Sequence, residues 1–381
     1  MYFSGSLIRH YFRRAKPTVQ TPRIQMKERK EPFPLVSQLL SHAAGVWPML
    51  RFDLLTDAER QLRWVLAGGL GPLLWHASQT TGASVPADWQ SGLLAADLTA
   101  QVNHQCLVET ALDVLRAGRA TGVPVTLLKG ISVAEQLYPK PHLRPMGDVD
   151  VLVPRADYAR IEAALLSSAY RRLDFPEVQG LQHGPPLRND ALRTLVELHT
   201  ELFSADSPLR LHGDALIAAT VQQVGVVPSL FRGRPVNRLS AEFQLLYIAA
   251  SWFNDLTHYP PHPSFLASLF DAVYLTRRYP ELLDDDRTLA EVDNPFARAS
   301  LYALLTYLPR FGVQSASPRR LAAMRRGLSL VGPLELRMIH GMLDRCMVGA
   351  RYWTSFLPIP VPGRYSVRHQ LIKRSKSLFS W

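Results

Sequence analysis

"RPMGDVDVLVP", Arg144–Pro154, sets two aspartates one residue apart at the head of an apolar, β-branched run. Side chains alternate along a strand, so Asp148 and Asp150 share one face while Val149 and Val151 share the other. The valine face belongs in a core. The aspartate face then holds two neighbouring carboxylates, which repel and raise each other's proton affinity. Full solvation relieves that conflict, and so does a divalent cation. Magnesium takes oxygen ligands, often only one or two carboxylates plus substrate phosphates, and is the economical answer.

The flanking residues give this strand a setting. Upstream, "VPVTLLKG" (123–130) reads as a buried strand ending on glycine, "ISVAEQLY" (131–138) as a short helix, and "PKPHLRPMG" (139–147) as a Pro-punctuated loop. Downstream, 155–170 reads as a helix, "RRLDF" (171–175) as a strand, 176–193 as a loop, and "TLVELHTEL" (194–202) as a third strong strand. In that third strand Glu197 faces away from Val196 and Leu198. Laid beside "DVDVLV", it completes an acidic triad, and three carboxylates can hold two metals. His199 shares the face of Glu197; it either orients that carboxylate or caps the sheet. The strand–Lys129–Gly130–helix turn supplies a phosphate end. A helix N-terminus presents free N–H groups, Gly130 lets a ligand approach the backbone, and Lys129 adds a point charge. Arg144 is a candidate clamp for a phosphate or for leaving pyrophosphate.

Each element alone has an ordinary reading: a solvated strand end, a common turn, an exposed edge acid, a loop charge. Order and spacing carry the case. "TLLKGISVAEQLYPKPHLRPMGDVDVLV" followed by "VELHTEL" resembles the uncharacterised bacterial nucleotidyltransferases, which carry LKG…LYP…R-x-M-x-D-h-D-h-L-V, within the DNA polymerase β-like superfamily. The close resemblance spans 125–202 and extends weakly into the helices on both sides. It implies an α+β fold with a small mixed sheet and flanking helical domains. It implies metal-binding and catalytic roles for Asp148, Asp150 and Glu197, the last assisting the metal or serving as base. It also implies a triphosphate site at Lys129, Gly130, Ile131 and Ser132, with Arg144 nearby. The wider superfamily usually has Gly-Gly or Gly-Ser at the helix start, whereas this chain has Gly130-Ile131 with Ser132 next, which questions the hydroxyl contact. The third acid is Glu where the family often has Asp. The implied activity is metal-dependent transfer of an NMP group from an NTP, with Mg²⁺ or Mn²⁺ and ATP as the favoured donor. The acceptor would be an oxygen of a small molecule or protein. The alternative is a nucleotide-sensing or partner-binding module that kept the fold without the chemistry.

The 381 residues suit two or three domains. Residues 34–122 read as helical; in the last segment Leu107, Ala111, Val114 and Leu115 mark one face and Gly122 is a stop. From about 208 onward the chain reads as mostly helix, best in 240–253 and 263–279. The expected division is a basic 1–33, helical 34–122, a nucleotidyltransferase core 123–205, helical 206–360, and a basic tail 361–381. Asp271 matches a family position of unclear role, for which a structural ion pair is at least as good a reading.

Net charge is +11, yet residues 1–33 hold eight Lys/Arg against two Glu, and 361–381 hold five Lys/Arg and no acid. The body between balances at 30 basic and 30 acidic residues, so the basic character belongs to the ends. Nucleic acid or an anionic membrane surface can bind such tails, but the neutral body does not favour a nucleic-acid acceptor. No apolar run reaches transmembrane length. The Arg-rich start resembles an organelle transit segment, with Met26 as an alternative start; cytoplasm is the default expectation. Two distant cysteines, Cys106 and Cys346, make no disulfide framework. Two prolines between His258 and His262 forbid a zinc-binding helix, and "AGGLG" (67–71) follows a helix, not the strand a dinucleotide loop requires.

Overall fold

The computed structural model describes residues 34–47, 49–174, 182–203, 225–257, 265–284, 295–326 and 333–349. Both basic ends, His258, His262 and the Pro-rich 356–363 lie outside these residues. Four helices lead: α1 (Leu35–Ala43), α2 (Ala58–Ala67), α3 (Gly71–Thr81) and α4 (Ala87–Thr121). Gly122 ends α4 as expected, with φ +69°, a left-handed cap that glycine adopts without a Cβ clash.

The mixed region follows: β1 (Thr126–Leu127), α5 (Lys129–Leu137), β2 (Asp148–Leu152), α6 (Tyr158–Leu166), β3 (Tyr170–Arg172), β4 (Leu187–Asn189) and β5 (Thr194–His199). The first strand is shorter than its sequence suggests. Lys129 turns to φ +30°, which ends the extended chain, and the helix starts there rather than at Ile131. β4 falls inside the expected loop. At three residues it shows no alternation, and the Asn189 side chain turns the chain into β5 by accepting from the N–H groups of Ala191 and Leu192.

Two more strands, β6 (Val226–Phe231) and β7 (Arg234–Leu239), correct the helical reading of the region after 208. They form a hairpin whose central residues, Arg232 (φ +48°) and Gly233 (φ +77°), both have the left-handed backbone of a tight hairpin turn. Pro228 and Pro235 interrupt the strand pattern in the sequence. β6 is an edge strand and tolerates Pro228, while Pro235 lies beyond the Asn237–Arg238 stretch that pairs with β1.

The sheet order is β3-β4-β5-β2-β1-β7-β6, with β2 parallel to β5 and β1 antiparallel to β2. Val149, Val151, Val196 and Leu198 are at most 1% exposed and pack with Leu107, Ala111 and Val114 of α4 and Ile161 and Leu165 of α6. Burying each such side chain contributes about 1.5–3 kcal/mol. A one-residue slip of β2 would exchange these valines for aspartates, so the core fixes the register. The C-terminal helices α7 (Ala241–Thr257), α8 (Phe265–Arg278), α9 (Pro295–Tyr307), α10 (Pro318–Arg326) and α11 (Pro333–Met347) follow. Their apolar faces join α1–α3, Leu128 and Leu152 in a second, larger core. Among the described residues, no helix is long and apolar enough to cross a membrane.

Candidate active site

The parallel pairing of β2 and β5 sets Asp150 opposite Glu197 and Leu152 opposite His199. Paired residues of adjacent strands point to the same side, so Asp148, Asp150, Glu197 and His199 share the face away from the valines. Ligand atoms of Asp150, Glu197 and His199 lie within 4.8 Å of one another. His199 Nε2 is 2.9 Å from Asp150 Oδ1 and 3.6 Å from Glu197 Oε2. His183, within the stretch 176–193 expected as a loop, is bridged by its backbone to His199 and brings its Nε2 to 3.5 Å from Glu197 Oε2.

The two aspartates titrate in opposite directions. Burial and the charges of Asp150 and Glu197 push the Asp148 carboxyl up to about 7. Burial would raise Asp150 too, but the Lys129 charge, the His199 hydrogen bond and the Arg144 charge outweigh it. They hold Asp150 well below the usual carboxylate range. One acid is thus compensated by the protein and one is not. An uncompensated carboxylate in an all-oxygen acidic pair fits a hard divalent cation.

Lys129 stands at the start of α5 with Nζ 5.2 Å from the ring centre of Tyr247, a residue of α7 that sequence reasoning did not select. A left-handed φ on a non-glycine residue is sparsely populated and clusters at functional turns. Gly130 is buried beneath the following loop. A Cβ there would meet Arg144 Nη1 at 3.1 Å and Met146 Sδ at 3.3 Å. Gly130→Ala is expected to destabilise by about 1–2 kcal/mol, read as a lower urea midpoint with an unchanged far-UV spectrum.

The other sequence-selected residues are built into the fold. Ile131 is fully buried in the sheet core, which leaves only its backbone for a ligand. Ser132 is fully buried, and its hydroxyl accepts from Arg238 (3.1 Å) and Gln136 (3.3 Å). Arg144 is paired with α8. Its Nε donates to Asp271 Oδ1 (2.9 Å), its Nη2 to Asp271 Oδ2 (2.7 Å), and its Nη1 to the Pro145 carbonyl (3.1 Å). Tyr138 donates to the same Asp271 Oδ1 at 2.8 Å. Asp271 therefore makes the structural ion pair weighed for it above, and ties the loop before β2 to the C-terminal helices.

A pocket of about 390 Å³ opens between α3, α4 and the 141–146 loop, bordered by Thr99, His104, His142, Arg144 and Met146. It shares Arg144 and Met146 with the packing around Gly130.

A family model described as uncharacterised nucleotidyltransferase matches residues 55–312. The chain belongs to that family. The match reaches from α2 to the end of α9 and takes in every strand of the sheet. It makes the protein a nucleotidyltransferase enzyme, a transferase of nucleotidyl groups. Curated proteins offer no match to the nucleotidyltransferase sequence. Solved structures similar to it include an antigenic nucleotidyltransferase-like protein from Paracoccidioides brasiliensis, with 14% identity, 56% of this chain and 95% of that chain covered, and TM-score 0.37. Another is ANT(2'')-Ia, described as an antibiotic-resistance factor, with 15% identity, 48% and 94% covered, and TM-score 0.30. The same ANT(2'')-Ia in complex with adenylyl-2''-tobramycin matches with 15% identity, 45% and 97% covered, and TM-score 0.29.

Proposed function

We propose that this nucleotidyltransferase moves an NMP group from an NTP, ATP first among donors, to a hydroxyl of a small molecule, with Mg²⁺ or Mn²⁺ as cofactor. The observation that carries this reading is the β2–β5 register, which puts Asp150 opposite Glu197 with Asp148 on the same face. Asp148, Asp150 and Glu197 would hold the metal, whose chemistry is neutralisation of the triphosphate and of the leaving pyrophosphate. Lys129 adds a fixed positive charge beside the acids, and the backbone N–H groups at the start of α5 offer donors to phosphate oxygens. Arg144 contributes its field while Asp271 holds it in place.

In the reaction, the acceptor oxygen forms a bond to the α-phosphorus as the bond from that phosphorus to the β-bridging oxygen breaks. Pyrophosphate leaves with the bonding pair. Glu197, partly exposed at the edge of the cluster, takes the hydroxyl proton. Positioning and charge compensation supply most of the catalysis, as in other phosphoryl transfers. The balanced charge of residues 34–360 does not point to nucleic acid.

Calorimetric titration with each of the four NTPs, with and without Mg²⁺, tests the reading. The expected result is metal-dependent binding of one nucleotide, ATP first, that Asp150→Asn removes. Binding of no NTP, or binding indifferent to both metal and Asp150, overturns it.

A further inference from the structure

His199 is 1% exposed and sits where four contacts meet. Its backbone pairs with Leu152 of β2 and bridges to His183, its ring packs 5.2 Å from the His183 ring, and its Nε2 lies 2.9 Å from Asp150 Oδ1. An ionised carboxylate only accepts hydrogen bonds, so Nε2 carries the proton and donates it. Nδ1 is buried and has no hydrogen-bond partner among the described residues. Burying an imidazole with one nitrogen unpaired costs about 1–3 kcal/mol, and a purely packing role is better filled by an apolar side chain. The bond to Asp150 is the contact that explains an imidazole here.

We propose that His199 is a positioning residue for the metal site: it fixes the rotation of the Asp150 carboxylate and, with His183, confines the Glu197 carboxylate, so that both acids are pre-set for the cation. The inference rests on the metal-dependent reading above and deepens it. Asp150 is the middle residue of β2 and buried, yet its carboxylate can still turn about its last side-chain bond unless a donor fixes it. Each rotation lost on metal binding weakens affinity, and a donor fixed in the sheet removes that loss beforehand. Hydrogen-bonded partners behind metal ligands characteristically change metal affinity by about 10–100-fold.

The test is Mn²⁺ binding followed by electron paramagnetic resonance on the full chain, with no turnover involved. His199→Met keeps much of the volume without a donor and is expected to weaken Mn²⁺ binding by about 10–100-fold. His199→Gln places an amide N–H near the position of Nε2 and is expected to recover binding to within about threefold of wild type. His199→Asn, whose amide stops short of Asp150, serves as a second loss variant should the Met variant fail to fold. Wild-type affinity in a folded Met or Asn variant would overturn the proposal. So would nitrogen modulation in the spin echo from a directly bound imidazole that persists in a His183→Gln variant and is lost in His199→Gln, which would make His199 a ligand instead. Absence of Mn²⁺ binding by the wild type, with or without ATP, would overturn the functional reading itself, whereas binding by the wild type that is insensitive to His199 removes this inference alone.

Discussion

Asp148→Asn and Asp150→Asn are each expected to lower nucleotidyl transfer by about three orders of magnitude or more, yet to move stability in opposite directions. On the proposed reading, the loss of activity follows from removing a carboxylate that would hold the cation, and it is the cation that compensates the charge of the triphosphate. The stability effects follow from the environments of the two acids. Asp148 has its carboxyl pushed up to about 7 by burial and by Asp150 and Glu197. Without metal, the folded chain therefore holds a proton there that the unfolded chain has released. Stability is fully present below the ordinary aspartate range and is lost as pH rises toward and through about 7. Asp148→Asn removes the repulsion, and metal-free protein at pH near 8 gains about 1–2 kcal/mol. Its stability should also cease to fall across that pH window. Asp150 is held well below the usual range because Lys129, His199 and Arg144 outweigh its burial, so its charge stabilises the fold at every working pH. Asp150→Asn leaves Lys129 and His199 without their carboxylate and costs about 1–3 kcal/mol. Urea unfolding in chelator at pH 5 and pH 8, beside a pyrophosphate-release assay, measures both effects. Equal stability losses in the two variants would contradict the assigned environments.

Asp271→Ala is expected to be the most destabilising single substitution near the site, at about 3–5 kcal/mol. Asp271 is 2% exposed and Arg144 9%, so truncating the carboxylate strands a buried guanidinium. It also removes the acceptor of Tyr138, whose hydroxyl is kept protonated by burial and by the charge of Asp271. Replacing both members of the pair, Arg144→Met with Asp271→Leu, should recover a large part of that loss, because no charge is then left unpaired. Activity separates the two roles of Arg144. If the field of Arg144 assists the phosphates, the double variant recovers stability but not affinity for ATP. Thermal unfolding and nucleotide titration of the single and double variants complete the cycle.

The reach of the sequence depends on the range of the contacts involved. Asp148 and Asp150 on one face, Val149 and Val151 on the other, Glu197 opposed to its apolar neighbours, the α4 face of Leu107, Ala111 and Val114, and the stop at Gly122 all follow from local periodicity. A strand or helix imposes that periodicity within a few residues, and the structure reproduces it. The start of α5 at Lys129 lay two residues from its expected place because one left-handed φ decided it.

Other features had no local signal. Nothing near Arg144 indicates that it reaches Asp271, 127 residues away, rather than facing a ligand; the approach of α8 decides that. Ser132 is occupied by Arg238 of β7, a strand whose proline, Pro235, hides it from pattern reading. His183 enters the site only because its loop bridges back to β5. The sequence by itself determined which carboxylates share a face and what chemistry they suit, because alternation along a strand is a local rule. Tertiary structure decided which positive groups remain beside those carboxylates and which are paired elsewhere, because that depends on elements brought together only when the sheet and the helices pack.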